Sequence, residues 1–347
     1  MKLMEFVMSR ATTSKKTKRK TARRASANGT ISISDVAKHA NVSLGTVSRV
    51  LNRHPSVGSD LRKKVLASSR SLGFVPKVSH RCVAVITGRY SPAMPIGYVS
   101  AMTSLVSQEL ASRGMAVELI DIGNIELAYE AHIDGVIGIV FDQRLTELTS
   151  IPNLPIVSIN KPMVEHGIGS VYADHYQQAE MACKYLLQQG HREIAFMEIE
   201  RGEWGSCERT AAFCDVMNEA GLIVDPSRIC YTIEQPVYDI LSRWCQRGVT
   251  GILNFSEDVS LEAIHILSNV LSKQIGRDIS TISLEDVPIY QYLTPPQTVV
   301  RQPLAEMAKI AVDNIIKQVE DKDSTQVIDI KLETQLIERD SVVNLSI

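Results

Sequence analysis

Residues 33–76 read as three short helices, and this stretch constrains the fold of the chain more than any other. Apolar residues spaced at i, i+3, i+4 and i+7 predict one buried helix face, formed by Ile33, Val36, Ala37 and Ala40. Ser34 is predicted to cap this helix. Asn41 is predicted to make the turn that follows, because Asn tolerates the left-handed backbone conformation better than most residues.

A second helix is predicted after the turn, with Ser43 as its cap and Val47, Val50 and Leu51 packed inward. The residues that remain lie on the outer face or at its border: Leu44, Gly45, Thr46, Ser48, Arg49 and Asn52. This layout is typical of a helix-turn-helix with a recognition helix. Other small three-helix units have the same spacing, so the spacing alone leaves a purely structural role open.

Charge is distributed very unevenly along the chain. Residues 1–81 carry 18 Lys and Arg against 3 Asp and Glu, a net charge of +15, whereas residues 82–347 carry 19 against 36, a net charge of −17. The basic part indicates a polyanionic partner such as DNA, which carries about one negative charge per 1.7 Å of its axis. Residues 1–29 lack apolar periodicity and are predicted to be a disordered basic arm that strengthens nonspecific DNA association.

The helical stretch closely resembles a known family. The matching residues are Asp-Val-Ala at 35–37, Val-Ser-x-x-Thr-Val-Ser-Arg-Val-Leu-Asn at 42–52 and Leu-Gly-Phe-x-Pro at 72–76. They resemble the lactose-repressor, or galactose-repressor, family of bacterial transcription regulators. The resemblance implies that residues 30–76 are a DNA-binding domain of a homodimer, with the second helix in the major groove of an operator.

The candidate DNA-contacting residues are Ser34, Ser43, Leu44, Gly45, Thr46, Ser48, Arg49 and Asn52. Arg49 occupies the family's arginine position, and its planar donor fork suits guanine O6 and N7 or a phosphate. Leu44 can touch only a thymine methyl or another apolar edge, and Gly45 has no side chain to read a base. Lys63 and Lys64 in the third helix are candidates either for phosphate contact or for a solvated charged face.

Beyond Pro76, apolar runs alternate with longer amphipathic stretches. The runs predicted as strands are 82–86, 116–120, 135–141, 156–159, 193–199, 251–255 and 279–284. The stretches predicted as helices are 98–112, 177–189, 208–220, 237–247 and 260–272. This alternation indicates parallel sheets with right-handed crossovers. Residues 82–347 are too many for one hydrophobic core, so an α/β core of two lobes is expected behind an all-α head.

The resemblance continues through this core. Asp174, Gly-His-Arg-Glu-Ile-Ala at 190–195 and Thr-Val-Val-Arg-Gln-Pro at 298–303 are similar to the family's signatures. They imply a periplasmic-binding-protein-like fold with a ligand cleft between two lobes. We expect the first lobe at about 82–172 and 302–325, and the second at about 173–301 and 326–347.

Matched positions imply five candidate effector-binding residues: Trp204, Arg209, Glu257, Glu285 and Gln302. The Arg209 fork would hold ligand hydroxyls or a ligand carboxylate, and its alternative role is an interlobe salt bridge. Glu285 stands where the family usually has Asp, and a carboxylate that pairs vicinal hydroxyls suits a sugar or nucleoside. Trp204 would either stack on a ring or cover a strand end.

The linker departs from the family pattern. Family members follow the proline with a hinge helix that wedges leucines into the minor groove and kinks the duplex. Here the five residues 77–81 lead directly into the first predicted strand, which is too short for such a helix. The sequence therefore predicts that the leucine wedge is missing and that the operator stays close to straight.

The sequence contains few features that are typical of other classes of protein. The six cysteines form no Cys-x-x-Cys pair and are expected to be reduced thiols. No phosphate loop, nucleophile elbow or metal-binding helix is present, so we expect no enzyme, cofactor or metal site. No apolar run approaches the length of about 18 residues that predicts a membrane span.

We therefore expect a cytoplasmic, nucleoid-associated repressor that is controlled by a small carbohydrate-like effector. The alternative is a sugar-binding sensor whose basic head holds nucleic acid only nonspecifically.

Overall fold

The computed structural model describes residues 31–52, 54, 56–74, 81–88, 97–139, 142–321 and 327–346. The predicted basic arm at 1–29 and most of the predicted linker at 77–81 lie outside these residues. The predictions of disorder and of a missing hinge helix therefore stay predictions.

The first part is a three-helix head, with α1 at Ile33–His39, α2 at Leu44–Leu51 and α3 at Ser59–Ser71. Of the apolar faces predicted from the spacing, Val36, Ala37, Ala40, Val47 and Val50 are buried, whereas Ile33 and Leu51 are only partly buried. Val57, Val65 and Leu66 complete the core of the head. Ser43 caps α2 by accepting a hydrogen bond from the Thr46 amide, at 3.1 Å. Asn41 has φ of 52°, so the predicted left-handed turn is confirmed.

The predicted cap of α1 is wrong. The helix begins at Ile33, so Ser34 lies inside it, with its side chain exposed. Ser32 is the N-cap, and the Asp35 carboxylate accepts hydrogen bonds from its amide at 3.0 Å and its hydroxyl at 2.6 Å. Asp35 also places a negative charge in the first turn, where the helix dipole favours it.

Two six-stranded sheets follow, and all but one of their strand pairs are parallel. The first sheet has the order β11-β5-β4-β3-β1-β2, with strands at Asp329–Leu332, Gly169–Ala173, Ile156–Ile159, Gly135–Ile139, Cys82–Thr87 and Ala116–Asp121. The second has the order β12-β10-β9-β8-β6-β7, with strands at Gln335–Ile337, Thr298–Arg301, Ser280–Ser283, Gly251–Asn254, Ile194–Glu198 and Ile229–Tyr231. All seven predicted strands are present in these sheets, so the α/β two-lobed fold class is confirmed.

Helices cover the faces of both sheets. Those against the first sheet are α4 at Tyr98–Ser112, α5 at Leu127–Glu130 and α10 at Leu304–Glu320. Those against the second are α6 at His175–Gln188, α7 at Trp204–Glu219, α8 at Val237–Gln246 and α9 at Glu257–His265. Among the described residues, no helix is both long enough and apolar enough to cross a bilayer.

The predicted lobe boundaries need one correction. Strand β11 was expected in the second lobe, but it pairs with β5 in the first sheet, with Asp329 opposite Ser170. The chain therefore crosses between the lobes for the third time after Leu332, several residues later than predicted. It then adds β12 to the second sheet, antiparallel to β10. The open edge of β5 explains the difference, because β11 satisfies its backbone hydrogen bonds.

Candidate DNA-binding surface and ligand-binding cleft

The outer face of α2 is a small surface that carries one long cationic side chain, Arg49. Leu44 is 52% exposed, and Gly45, Arg49 and Asn52 are also exposed. Thr46 and Ser48 are partly buried at the border of this face. The buried residues of α2 are Val47 and Val50, so packing of the head fixes which face α2 presents to a partner.

Four candidate residues in and beside α2 take part in hydrogen bonds within the head. The Ser43 and Thr46 hydroxyls lie 2.8 Å apart, and the Asn52 amide donates to the Ser48 carbonyl at 2.9 Å. These bonds pre-order the start and end of the helix. Arg49 remains exposed between them, where its guanidinium can meet a base edge or a phosphate.

The third helix of the head faces the first lobe. Lys63 Nζ lies 3.6 Å from Glu130 Oε1 at the end of α5, and the Ser59 hydroxyl donates to the same carboxylate. Arg70 Nη2 donates to the Ala131 carbonyl at 2.7 Å, and burial lowers the pKa of Arg70 to about 10 although the charge of Asp134 opposes the shift. We call Lys63, Arg70, Glu130 and Ala131 the head–lobe contact. Lys63 is thus placed against a carboxylate of its own chain.

The cleft of the core is built from side chains at the carboxyl ends of the second sheet's strands, where open α/β sheets bind ligands. Arg209, on α7, forms an ion pair with Glu198, the last residue of β6. Its Nε lies 2.6 Å from Oε1, and its Nη2 lies 3.4 Å from Oε2. The guanidinium carbon is 3.6 Å from the centre of the Phe255 ring, so the cation is held on a second side. The alternative role predicted for Arg209 was an interlobe salt bridge, but its salt-bridge partner lies within its own lobe.

Glu285 and Gln302 follow β9 and β10 and lie together in the same cleft. Gln302 Nε2 donates to Glu285 Oε1 at 2.6 Å, and both side chains are buried. Burial raises the pKa of Glu285 well above its ordinary value, and the nearby Glu257 carboxylate raises it further. Glu257 begins α9, and burial raises its pKa as well. Three of the five predicted cleft residues are therefore neighbours.

Trp204 begins α7 and packs against aromatic rings. Its ring lies edge-on to Tyr172 of the first sheet, with centroids 5.2 Å apart, and 5.3 Å from the His175 ring. Burial lowers the pKa of His175 well below its ordinary value, and the positive charge of Arg209 lowers it further. The indole thus joins the two lobes where the chain crosses between them.

Sequence reasoning missed three polar residues at strand ends. Glu198 was not among the predicted cleft residues, although it lies shortly before Arg209 in the sequence. Asn254 ends β8, and both its amide atoms are buried without a hydrogen-bond partner in the described part of the chain. Asn160 follows β4 in the first lobe, and its Oδ1 is buried and unpartnered in the same sense. A polar residue directly after a buried apolar run is the signal that could have identified all three.

Comparisons with known proteins agree with this architecture. The family described as "Bacterial regulatory proteins, lacI family" matches residues 32–77. "Periplasmic binding proteins and sugar binding domain of LacI family" matches residues 96–236, and "Periplasmic binding protein-like domain" matches residues 183–342.

Individual relatives cover almost the whole chain. The HTH-type transcriptional regulator RegA of Clostridium saccharobutylicum is 26% identical over 336 residues, which is 90% of this chain and 99% of RegA. The ribose operon repressor of Halalkalibacterium halodurans is 25% identical over 306 residues, 84% of this chain and 91% of that protein. The solved complex of the transcriptional regulator CelR with cellobiose has a TM-score of 0.67 at 23% identity and covers 90% of this chain and 99% of its own, which shows the same fold.

The helical head and the two-lobed core thus match separately, in the same order, and along nearly the full length of the relatives. The chain thus carries a lacI-family DNA-binding head at residues 32–77 and a periplasmic-binding-protein-like core, and it is similar along nearly its full length to HTH-type transcriptional regulators.

Proposed function

We propose that this protein is an operator-binding repressor whose DNA affinity is set by a small polar ligand, a sugar or a sugar-like molecule, bound between its lobes. The observation that carries the proposal is the joint presence of two surfaces in one chain. One is the exposed face of α2 with Leu44 and Arg49, and the other is the buried polar cleft with Arg209, Glu285 and Gln302. The relatives above are named as transcriptional regulators and repressors, which supports a regulator and not an enzyme.

On this proposal the roles of the residues are distinct. Ser43, Thr46 and Asn52 position α2 on the duplex, Arg49 reads a base or a phosphate, and Leu44 makes an apolar contact. Ser34, exposed on α1, and Ser48, at the border of the outer face of α2, are assigned to contacts with the DNA backbone. In the cleft, Glu285 and Gln302 bind ligand hydroxyls, with Glu257 and Trp204 at the border of the pocket.

A homodimer is part of the same proposal. Strand β2 is the edge of the first sheet, and its Val117 and Leu119 are 36% and 55% exposed. An apolar edge strand invites pairing with another chain unless something covers it. A second copy that covers β2 would also supply the second recognition helix, about 34 Å or a multiple of that from the first. Sedimentation of Leu119→Glu should show monomers, whereas the control Ile223→Glu, at a residue 96% exposed in the second lobe, should leave the dimer intact.

The experiment that tests the function is a selection of genomic DNA fragments by the purified protein, followed by operator titration with and without a panel of sugars. Selection of a palindromic site whose affinity changes with one sugar supports the proposal. The alternative, a sugar sensor that binds nucleic acid nonspecifically in the bacterial cytoplasm, requires sugar binding together with fragments that share no sequence.

A further inference from the structure

The cleft arginine, Arg209, already forms an ion pair with a carboxylate of its own chain, Glu198. Arg209 presents Nε and Nη2 to Glu198, and the side chains of the pair are only 4% and 1% exposed. A ligand carboxylate or phosphate that took this fork would displace Glu198 and leave its charge buried without a partner. Such a displacement opposes binding because a buried unpaired charge is strongly unfavourable.

The other ionisable groups near Arg209 add no positive charge. Glu285 and Glu257 are carboxyl groups, and the buried His175 is held neutral by its lowered pKa. The charge of Lys161, in the first lobe, acts on Glu203 at the start of α7. Arg209 and Lys161 therefore already stand next to carboxylates, so neither offers an uncompensated positive charge to an incoming anion.

The unpartnered side-chain amide atoms in the cleft need both hydrogen-bond donors and a hydrogen-bond acceptor from a ligand. Asn254 is paired in register with Met197 on one side and Ser283 on the other, so it lies between the ends of β6 and β9. Its Oδ1 and Nδ2, and Gln302 Oε1, are buried and unpartnered within the described part of the chain. The two amide oxygens accept hydrogen bonds and cannot pair with a carboxylate, whereas Nδ2 donates. A hydroxyl both donates and accepts, so hydroxyl groups can satisfy all three atoms.

We infer that the effector is an uncharged polyhydroxylated molecule, and that Glu198, through its pair with Arg209, excludes anionic sugars such as uronates and sugar phosphates. This inference rests on the proposed function and specifies its ligand class. Glu198 acts here as a specificity residue: it neutralises the arginine that would otherwise select an anion. Asn254 and Gln302 then select hydroxyl groups, which donate to the two amide oxygens and accept from Asn254 Nδ2.

The test is calorimetric titration of the full chain with D-glucose and with D-glucuronate. The two sugars differ only in one group, which is a hydroxymethyl group in glucose and a carboxylate in glucuronate. Wild type should show no saturable binding of glucuronate at millimolar concentration. Glu198→Gln should bind glucuronate at least about tenfold more tightly than wild type does, equivalent to ~1.4 kcal/mol. The control Glu193→Gln removes one carboxylate from the same lobe, an exposed one that pairs with Arg228, and should behave as wild type.

Two results would overturn the inference: tighter binding of glucuronate than of glucose by wild type, or a Glu198→Gln protein that folds and gains no affinity for glucuronate. Should this variant not fold, wild-type titrations with galactose and galacturonate decide, because tighter binding of the anion refutes the inference and weaker binding supports it. If no neutral sugar binds but Glu198→Gln gains glucuronate binding, sugar sensing is refuted as the function. The exclusion of anions by Glu198 would still be supported.

Discussion

Arg209 and Glu198 form a two-point ion pair at the carboxyl end of β6, with 2.6 Å between Nε and Oε1. The carboxylate lies in the strand and the guanidinium in the following helix, α7, so the pair fastens α7 to the second sheet. The matched position of Arg209 implied ligand binding, but Arg209 also has a structural partner, Glu198. The residues next to Arg209 in the sequence did not indicate this partner.

The first prediction follows from the burial of this pair. Arg209→Gln leaves Glu198 without its cation in a buried position, and we expect the free energy of unfolding to fall by about 3–5 kcal/mol. Urea denaturation of the full chain measures it. Arg277→Gln is the matched control, because Arg277 is 74% exposed and 3.9 Å from Asp278. Equal losses in the two variants would show that the buried pair is no more important than a surface one.

How far the sequence predicted the fold depends on how local each signal is. The face of Val36, Ala37 and Ala40 and the cap at Ser43 were predictable because helix periodicity and capping need only neighbours in the sequence. Strand β11 was assigned to the wrong lobe because its partner, β5, lies far away along the chain. The cap at Ser34 was wrong by two residues, as helix boundaries often are.

The cleft was predicted less completely than the head. Glu285, Gln302 and Glu257 are neighbours, and the charge of Arg209 acts on Glu285, but Glu198 and Asn254 were missed. Their contribution depends on which strands are neighbours in the sheet, and β6, β8 and β9 become adjacent only through crossovers. Apolar periodicity indicates that a strand is buried and does not indicate which strand lies beside it.

The second prediction concerns pH. The pKa of Glu285 is raised by burial and then by Glu257, so the folded state holds the proton more tightly than the unfolded state does. The stability from this group is complete below the ordinary value of 4.5 and is lost as pH rises through the raised folded-state pKa.

Glu285→Gln keeps a neutral group in place at every pH. The variant should therefore lose less stability than wild type between about pH 5 and pH 8. Thermal unfolding over this range measures the difference, and Glu262→Gln, at an exposed carboxylate, should follow the wild-type curve. Parallel curves for Glu285→Gln and wild type would mean that Glu285 does not titrate across this range.

The third prediction concerns the head–lobe contact. Arg70→Ala removes the hydrogen bond to the Ala131 carbonyl and the cation buried beside Asp134. We expect the head to separate more readily from the first lobe, so that trypsin cuts between head and core several-fold faster. Lys38→Ala, on the exposed side of α1, should be cut at the wild-type rate. Unchanged cleavage in Arg70→Ala would show that the contact does not hold the head.

The fourth prediction concerns the shape of the bound DNA. The sequence leaves five residues, 77–81, between the head and β1, too few for a helix that wedges leucines into the minor groove. Without a wedge, bending a site of 20–30 base pairs by 40–90° would cost about 1–6 kcal/mol, so we expect a nearly straight operator. Circularly permuted operator fragments in a gel assay measure the bend, and a sharp central kink would assign the wedge to another segment.

The central claim, that this chain recognises specific DNA through α2, is tested most directly by one titration. Wild type and Arg49→Ala are titrated at fixed salt against the selected operator and against a scrambled duplex of the same length. Arg49→Ala should lose about 1–3 kcal/mol of operator affinity, while its affinity for the scrambled duplex changes much less and its thermal unfolding stays as in wild type. Equal affinity of wild type for the two duplexes, or an operator affinity unchanged by Arg49→Ala, would contradict the account.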